Sequence, residues 1–435
     1  MLKKLARIFH MPLPMRISLL TRVTLLALNF LTALVVARLY GAEATGQIGL
    51  IAAILAVTSV VSLGGFQMMA LRHFAGDPPD LKTLFTAYLL RVVIGALIVG
   101  LLLQLVVVPL FGALFEDSLG DRMVWLLSFI AAANTLRIFL YETLRSQEEI
   151  ITYSLLLLVG PINLLLLILV VPVVIPGLNL AWLVVISELV GLVVVVPLLR
   201  QKGRGIGLTA IRMRDLKVRS RQYYVSSLSI MANTQDILLI GMIVSVEQLG
   251  VYVIASRFAG VVALPKTMAG ISFAPEVART NRDQGREAAL MFTRRTTRTF
   301  VPLTIVLSAF MIACGPLVLD FLGLAFREGY PILVLLVCAH LLLALTGLSG
   351  SMLMMIGHQR MQQFIFIAST VVMMGLLVLL LPRYGILGGG ISVLAGAIVL
   401  ALFGTIAIQR LMGTGITAFH VYCGNDPARD SSNKS

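Results

Sequence analysis

The strongest constraint in this sequence is a succession of apolar runs, each 18 residues or longer, recurring from near residue 17 to near residue 410. A run of that length crosses the roughly 30 Å hydrocarbon core of a bilayer as an α-helix. Turn and charge clusters between the runs predict twelve spans, near 17–39, 46–71, 83–111, 122–144, 150–172, 178–199, 223–245, 249–276, 298–322, 330–354, 361–381 and 386–410. Composition points the same way. Charged side chains make up 12% of the 435 residues, about half the roughly 25% of soluble domains, and the mean hydropathy is +0.98. The expected fold is an all-α polytopic membrane protein with twelve transmembrane helices, not a string of soluble domains. The basic start, Met1-Leu-Lys-Lys-Leu-Ala-Arg7, leads into an apolar run from Ile17 with no small-residue cleavage site behind it, so it reads as a first span rather than a removed signal.

An even number of spans puts both termini on one side, and the basic residues say which. Of 34 Lys and Arg, 25 fall on the side that carries the N-terminus, four on the other, and five within spans. The positive-inside rule then places both termini in the cytoplasm. Topology accounts for the net charge of +14 without any nucleic-acid partner. The longest connection, Arg200 to Arg221, holds eight cations and one acid; it is either a polybasic site for anionic lipid or a topogenic loop joining two halves. Connections on the far side are short, leaving no room for a catalytic domain there. No catalytic residue is assigned, and the chain is not expected to be an enzyme. Cys314, Cys338 and Cys423 are an odd number without metal spacing, which indicates neither a disulfide framework nor a metal site. The resulting division is 1–200, 201–222 as a basic cytoplasmic linker, 223–411, and 412–435 as a polar tail.

The two long parts look like copies. Val36-Ala-Arg-Leu-Tyr-Gly-Ala-Glu-Ala-Thr-Gly aligns with Ile240-Gly-Met-Ile-Val-Ser-Val-Glu-Gln-Leu-Gly at an offset of 204, placing Glu43 on Glu247 and Gly46 on Gly250. Phe66 to Arg72 resembles Phe273 to Arg279 at 207, Gln147 matches Gln359 at 212, and Gly177 matches Gly385 at 208. Four matches in series predict a duplication of six spans. Because each copy has an even number of spans, the copies run parallel, related by an axis along the membrane normal.

Charges inside spans carry the functional argument. Arg22, Arg91, Arg137, Arg257 and Lys266 each cost on the order of 2.5–3.5 kcal/mol near a helix centre, so they are expected to face a polar interior and to bind an anionic group, except that Arg22, near the cytoplasmic end of its span, either does so or snorkels to the headgroups. Asn134, Arg137 and Tyr141 fall on one helical face, as do Arg22 and Asn29. Arg257 and Lys266, nine residues apart, take opposite faces of a straight helix, and Pro265 is expected to break that helix. Among the acids, Asp236, with Asn233 on its face, and Glu188 lie mid-span; each is either an ion-coupling carboxyl for H+ or Na+ or one half of a structural ion pair. Glu142, Glu276 and Asp320 lie nearer span ends. His340, without an acidic neighbour at helical spacing, reads as a packed histidine rather than a proton relay. Gly388-Gly-Gly390 reads as close helix packing. There is no nucleotide-binding loop, paired-histidine motif or serine elbow, so an ATP-driven pump is unsupported and no cofactor beyond a coupling ion is expected.

The segments Val36-Ala-Arg-Leu-Tyr-Gly-Ala-Glu-Ala-Thr-Gly, Glu247-Gln-Leu-Gly-Val-Tyr and Ala274-Pro-Glu-Val-Ala-Arg279 resemble the polysaccharide-exporter branch of the multidrug/oligosaccharidyl-lipid/polysaccharide (MOP) superfamily, specifically Wzx-type O-unit flippases. The resemblance covers about residues 10–411. It implies two six-helix lobes forming a V in the bacterial cytoplasmic membrane, passing an undecaprenyl-diphosphate-linked glycan between leaflets for O-antigen or exopolysaccharide synthesis. Twelve spans rather than fourteen look less like the peptidoglycan-precursor branch. Carried over by position, the family's cationic cavity corresponds to Arg22, Arg91, Arg137 and Arg257. Implied partners are the bilayer, the polyprenyl-diphosphate-linked glycan and other polysaccharide-assembly membrane proteins. The alternatives are a cation or drug antiporter of the same fold, which needs an anionic cavity where the first span offers Arg22, and a membrane polymerase or ligase, which needs a sizeable outside loop.

Overall fold

The computed structural model describes residues 13–66, 81–107, 121–147, 149–174, 180–202, 208–209, 224, 227–228, 231, 235–413 and 415–418. Among them there is no strand, and nine helices are long and apolar enough to cross a membrane. The chain divides into two compact units, Met1–Gly250 and Val251–Ser435.

The first unit opens with α1, Leu13–Leu63, whose 51 residues contain one non-helical position, Gly41, at φ 83° and ψ −172°. Unbroken, such a helix would measure roughly 77 Å, more than twice the hydrocarbon core. The break separates 13–40 from 42–63, so the turn predicted between the first two spans is a single residue. Only glycine occupies that backbone region routinely. At the break, Tyr40 donates its hydroxyl proton to the Ile168 carbonyl at 2.8 Å, and Val36 packs with Ile168, Leu180 and Leu183. The unit continues with α2 (Leu81–Leu102), a π-helical turn (Leu103–Val107), α3 (Asp121–Ser146), α4 (Ile150–Val174) and α5 (Leu180–Lys202). Phe66, fully buried, joins α2 to α3 through Tyr88 and Phe139, with ring centroids 5.2 and 4.5 Å away.

The seventh predicted span differs from expectation. Instead of one helix through 223–245, the described residues show Gln235 as a non-helical cap followed by short α6, Asp236–Gly241. Asp236 therefore sits in a first helical turn, where the N-terminal dipole favours a carboxylate.

Helix α7, Val246–Gln284, begins in the first unit and carries a crossing that reflects the duplication. A Cβ on Gly46 would lie 1.9 Å from the Val246 carbonyl oxygen, and one on Gly250 would lie 1.8 Å from that of Ala42. Ala42 and Gly46 are the residues that the offset of 204 places on Val246 and Gly250. Two copies of one segment thus meet at backbone contact, possible only with hydrogen as the side chain.

In the second unit α7 runs on without interruption through Pro265. The expected break does not occur: the Pro265 ring removes one ladder hydrogen bond without ending the helix. At 39 and 37 residues, α7 and α8 (Arg286–Leu322) both exceed the hydrocarbon core, and they meet at Gly285, φ 87°. The basic segment between the eighth and ninth spans is therefore mostly helix. A 3-10 turn (Leu324–Gly329), α9 (Tyr330–Leu345), α10 (Ser349–Met355), α11 (Gln359–Tyr384) and α12 (Ile386–Met412) follow. The glycine run at the start of α12 allows close packing, since a Cβ on Gly388 would meet the Leu380 carbonyl at 2.7 Å.

Each unit also contains a serine-to-glycine contact between its last two long helices. Ser187 donates to the Gly160 carbonyl at 2.9 Å and Ser369 to that of Gly396 at 2.8 Å. Adding 209 to Gly160 and Ser187 gives Ser369 and Gly396, so the same contact recurs with serine and glycine exchanged. That offset lies within the range of the sequence matches.

Candidate functional site

The stripe predicted on the fourth span comes together on α3. Arg137 Nε donates to Glu188 Oε2 at 2.8 Å; an Nη donates to Glu188 Oε1 at 3.2 Å and to Asn134 Oδ1 at 2.9 Å. The guanidinium carbon lies 5.2 Å from the centre of the Tyr141 ring. Both charged side chains are nearly buried, at 14% and 13% exposure. Planar guanidinium and carboxylate match in a two-bond fork, which offsets part of the cost of removing them from water. The arrangement is the structural ion pair that the sequence left open for Glu188. It also depends on residues that the sequence reading missed. A Cβ on Gly191 would fall 2.6 Å from Arg137 Cδ, and Gly160 faces an Arg137 Nη. Gly191 lies three residues after Glu188, one turn along the same face, and that spacing was the available signal.

The other predicted anion-binding residues lie elsewhere. Arg22, on α1, is half-buried, its Nε has no hydrogen-bond partner, and its charge reaches Glu142. Asn29, predicted to share its face, is exposed. Arg91, on α2, is half-buried with its guanidinium against Gly64, where a Cβ would approach to 3.2 Å. Arg257 is exposed on α7. Lys266, nine residues further along, is half-buried and donates to the Leu343 carbonyl. The two therefore differ in environment, as opposite faces of an unbroken helix would. Asn233 lies outside the described residues, and Asp236 is half-buried at the start of α6. Nearer span ends, Glu142 accepts from Arg145 at 3.0 Å and from the Tyr153 hydroxyl at 3.3 Å, while Asp320 pairs with Arg327 at 3.4 Å. His340, on α9, is half-buried. Among the described residues no cluster of His, Cys, Asp and Glu fits a metal ion.

Comparison of folds finds the same helical scaffold in solved membrane proteins. The chain resembles the inward-closed structure of the lipid II flippase MurJ, with a TM-score of 0.70 at 12% identity over 90% of this chain and 87% of that one. It resembles an inward-facing multidrug resistance MATE family transporter of the MOP superfamily at 0.66 and 16% identity, over 91% and 99%. A point mutant of the Vibrio cholerae MATE transporter VcmN gives 0.62 and 17%, over 94% and 97%. The chain shares the fold of these solved proteins. Residues 35–331 match the family described as polysaccharide biosynthesis protein, and the chain belongs to that family. No curated protein sequence matches it.

Proposed function

We propose that this protein moves an undecaprenyl-diphosphate-linked oligosaccharide across the bacterial cytoplasmic membrane, for surface polysaccharide assembly, by ion-coupled alternating access. The observation that carries this reading is the membership of a polysaccharide biosynthesis family by a chain with a transporter fold whose mid-span positions hold more cations than acids. A diphosphate supplies several anionic oxygens that guanidinium groups grip in pairs.

Arg22, Arg91 and Arg257 are the residues assigned to the diphosphate or to acidic sugars. Arg137 already holds Glu188 with two hydrogen bonds, so its assigned role is to fix α3 against α5. Asp236 is assigned to coupling with H+ or Na+; Glu188 could serve only by leaving Arg137. Both termini are assigned to the cytoplasm, with other polysaccharide-assembly proteins as membrane partners. An exporter of organic cations, the other reading of the same fold, needs an acid where the first span presents Arg22.

The test is a leaflet-resolved assay of the lipid-linked glycan in cells that express Arg22→Ala, Arg91→Ala or Arg257→Ala at wild-type levels. The expected result is accumulation in the inner leaflet and at least a tenfold loss of surface glycan. Undiminished surface glycan in all three would overturn the assignment.

A further inference from the structure

A partly open pocket of about 190 Å³ lies in the second unit, lined from α7, α9, α10, α11 and α12, with polar side chains in its wall. Lys266 reaches it from α7, Ser349 and Ser351 from α10, and Gln362 from α11. The Lys266 ammonium donates to the Leu343 carbonyl, and no acidic residue pairs with it among the described residues. Thr346 is committed to the same carbonyl at 2.8 Å. The hydroxyls of Ser349 and Ser351 bond to no described residue. Gln362, 4% exposed, is buried in the wall. An ammonium without a counter-charge in such surroundings is costly. The space is large enough for a ligand with some water, since a water occupies roughly 30 Å³.

The duplication shows what is missing. At the offset of 209, fixed by the Ser187–Gly160 and Ser369–Gly396 contacts, Glu188 falls on Ala397. At the offset of 212, fixed by Gln147 and Gln359, Arg137 falls on Ser349 and Asn134 on Thr346. At these counterparts the first unit carries a bulky cation and its carboxylate, whereas the second carries a serine and an alanine, and the cation of its pocket comes from α7.

We infer that this cavity binds a small monovalent anion of halide size, with Lys266 Nζ as the charged ligand and Ser349, Ser351 and the Gln362 amide as hydrogen-bond donors. One ammonium neutralises one negative charge. A phosphate dianion would leave a net charge in low dielectric with no arginine from the cavity wall to meet it. The bound anion supplies Lys266 with the counter-charge that Glu188 supplies to Arg137 in the first unit, and it is separate from the arginines assigned to the diphosphate.

The test uses the full-length protein, purified in detergent at constant ionic strength with gluconate as the bulk anion. Chloride or bromide should raise the unfolding midpoint by several degrees in a saturable way, and Lys266→Gln should abolish the rise. If Lys266→Gln does not fold, the Ser349→Ala/Ser351→Ala double variant should raise the half-saturating chloride concentration at least fivefold. No saturable halide effect in the wild type overturns the inference. So does an effect that persists in Lys266→Gln or is unchanged in the serine double variant, and so does stabilisation by inorganic phosphate in preference to halide, which would mark a phosphate-headgroup site. Because binding is measured without transport, failure here leaves the flippase reading standing, and a protein inactive in transport that still binds halide leaves this inference standing.

Discussion

Arg137 and Glu188, 51 residues apart on α3 and α5, face each other in a fork of two hydrogen bonds, 2.8 and 3.2 Å long. Asn134 accepts from the same Nη at 2.9 Å, and Gly191 makes room for the arginine stem. The pair has too little exposure for water to replace either partner, so its removal is asymmetric in energy.

Breaking it from one side leaves a charge buried alone. Arg137→Leu or Glu188→Leu should each destabilise the protein by about 3–5 kcal/mol. The double variant, which removes both charges together, should recover most of that loss. Thermal unfolding of the four proteins in detergent measures the coupling; additive losses would show that the two side chains do not depend on each other.

Two glycines on α1 should fail for different reasons. Gly46→Ala places a methyl group where the Val246 carbonyl oxygen would lie 1.9 Å away, so the crossing must open, at a cost of about 1–3 kcal/mol or more. Gly41→Ala meets nothing within 4 Å, but its backbone is at φ 83° and ψ −172°, a region that costs other residues about 1–3 kcal/mol. Asn, which tolerates the left-handed helical region, should not rescue position 41 because ψ lies far from that region. Fractions of folded protein from size-exclusion profiles and unfolding midpoints would check both.

Asp236 and Glu188 should separate coupling from structure. Asp236→Asn should fold normally and lose the response of transport to an imposed H+ or Na+ gradient in vesicles. Glu188→Gln should mainly lower stability, because it weakens the fork with Arg137. A gradient response that survives in Asp236→Asn would remove that residue from the coupling assignment.

A tighter contact tests how Arg137 is seated. Gly191→Ala would place a methyl carbon 2.6 Å from Arg137 Cδ, forcing the stem to shift and lengthening the fork. The expected loss is about 1–3 kcal/mol, and it should shrink in the Arg137→Leu/Glu188→Leu background. Unchanged loss in that background would place the strain elsewhere.

The membrane class, the helical fold and the duplication were legible in the sequence because each follows from local regularities. A bilayer demands apolar runs of fixed length whatever they pack against, and a duplication leaves matching residues at a steady offset. The stripe Asn134, Arg137, Tyr141 was legible for the same reason: helical spacing alone puts those residues on one face. Local rules failed where neighbours decide the outcome. Pro265 does not interrupt α7, and the seventh span is broken at Gln235, so that Asp236 opens a short helix instead of lying within a continuous one.

Sequence by itself therefore determined the solvent in which this chain folds and the repeat on which it is built. Tertiary structure decided which buried charges have partners. Glu188 and Arg137 are on different helices, and only the packing of α3 against α5, with glycines at the approach, brings them to hydrogen-bonding distance. Lys266 carries the same charge in the same kind of apolar helix, but it faces serine hydroxyls, an amide and a carbonyl. Whether a buried cation meets a carboxylate is a matter of a few ångströms between segments distant in the chain, and no spacing along one helix encodes that distance.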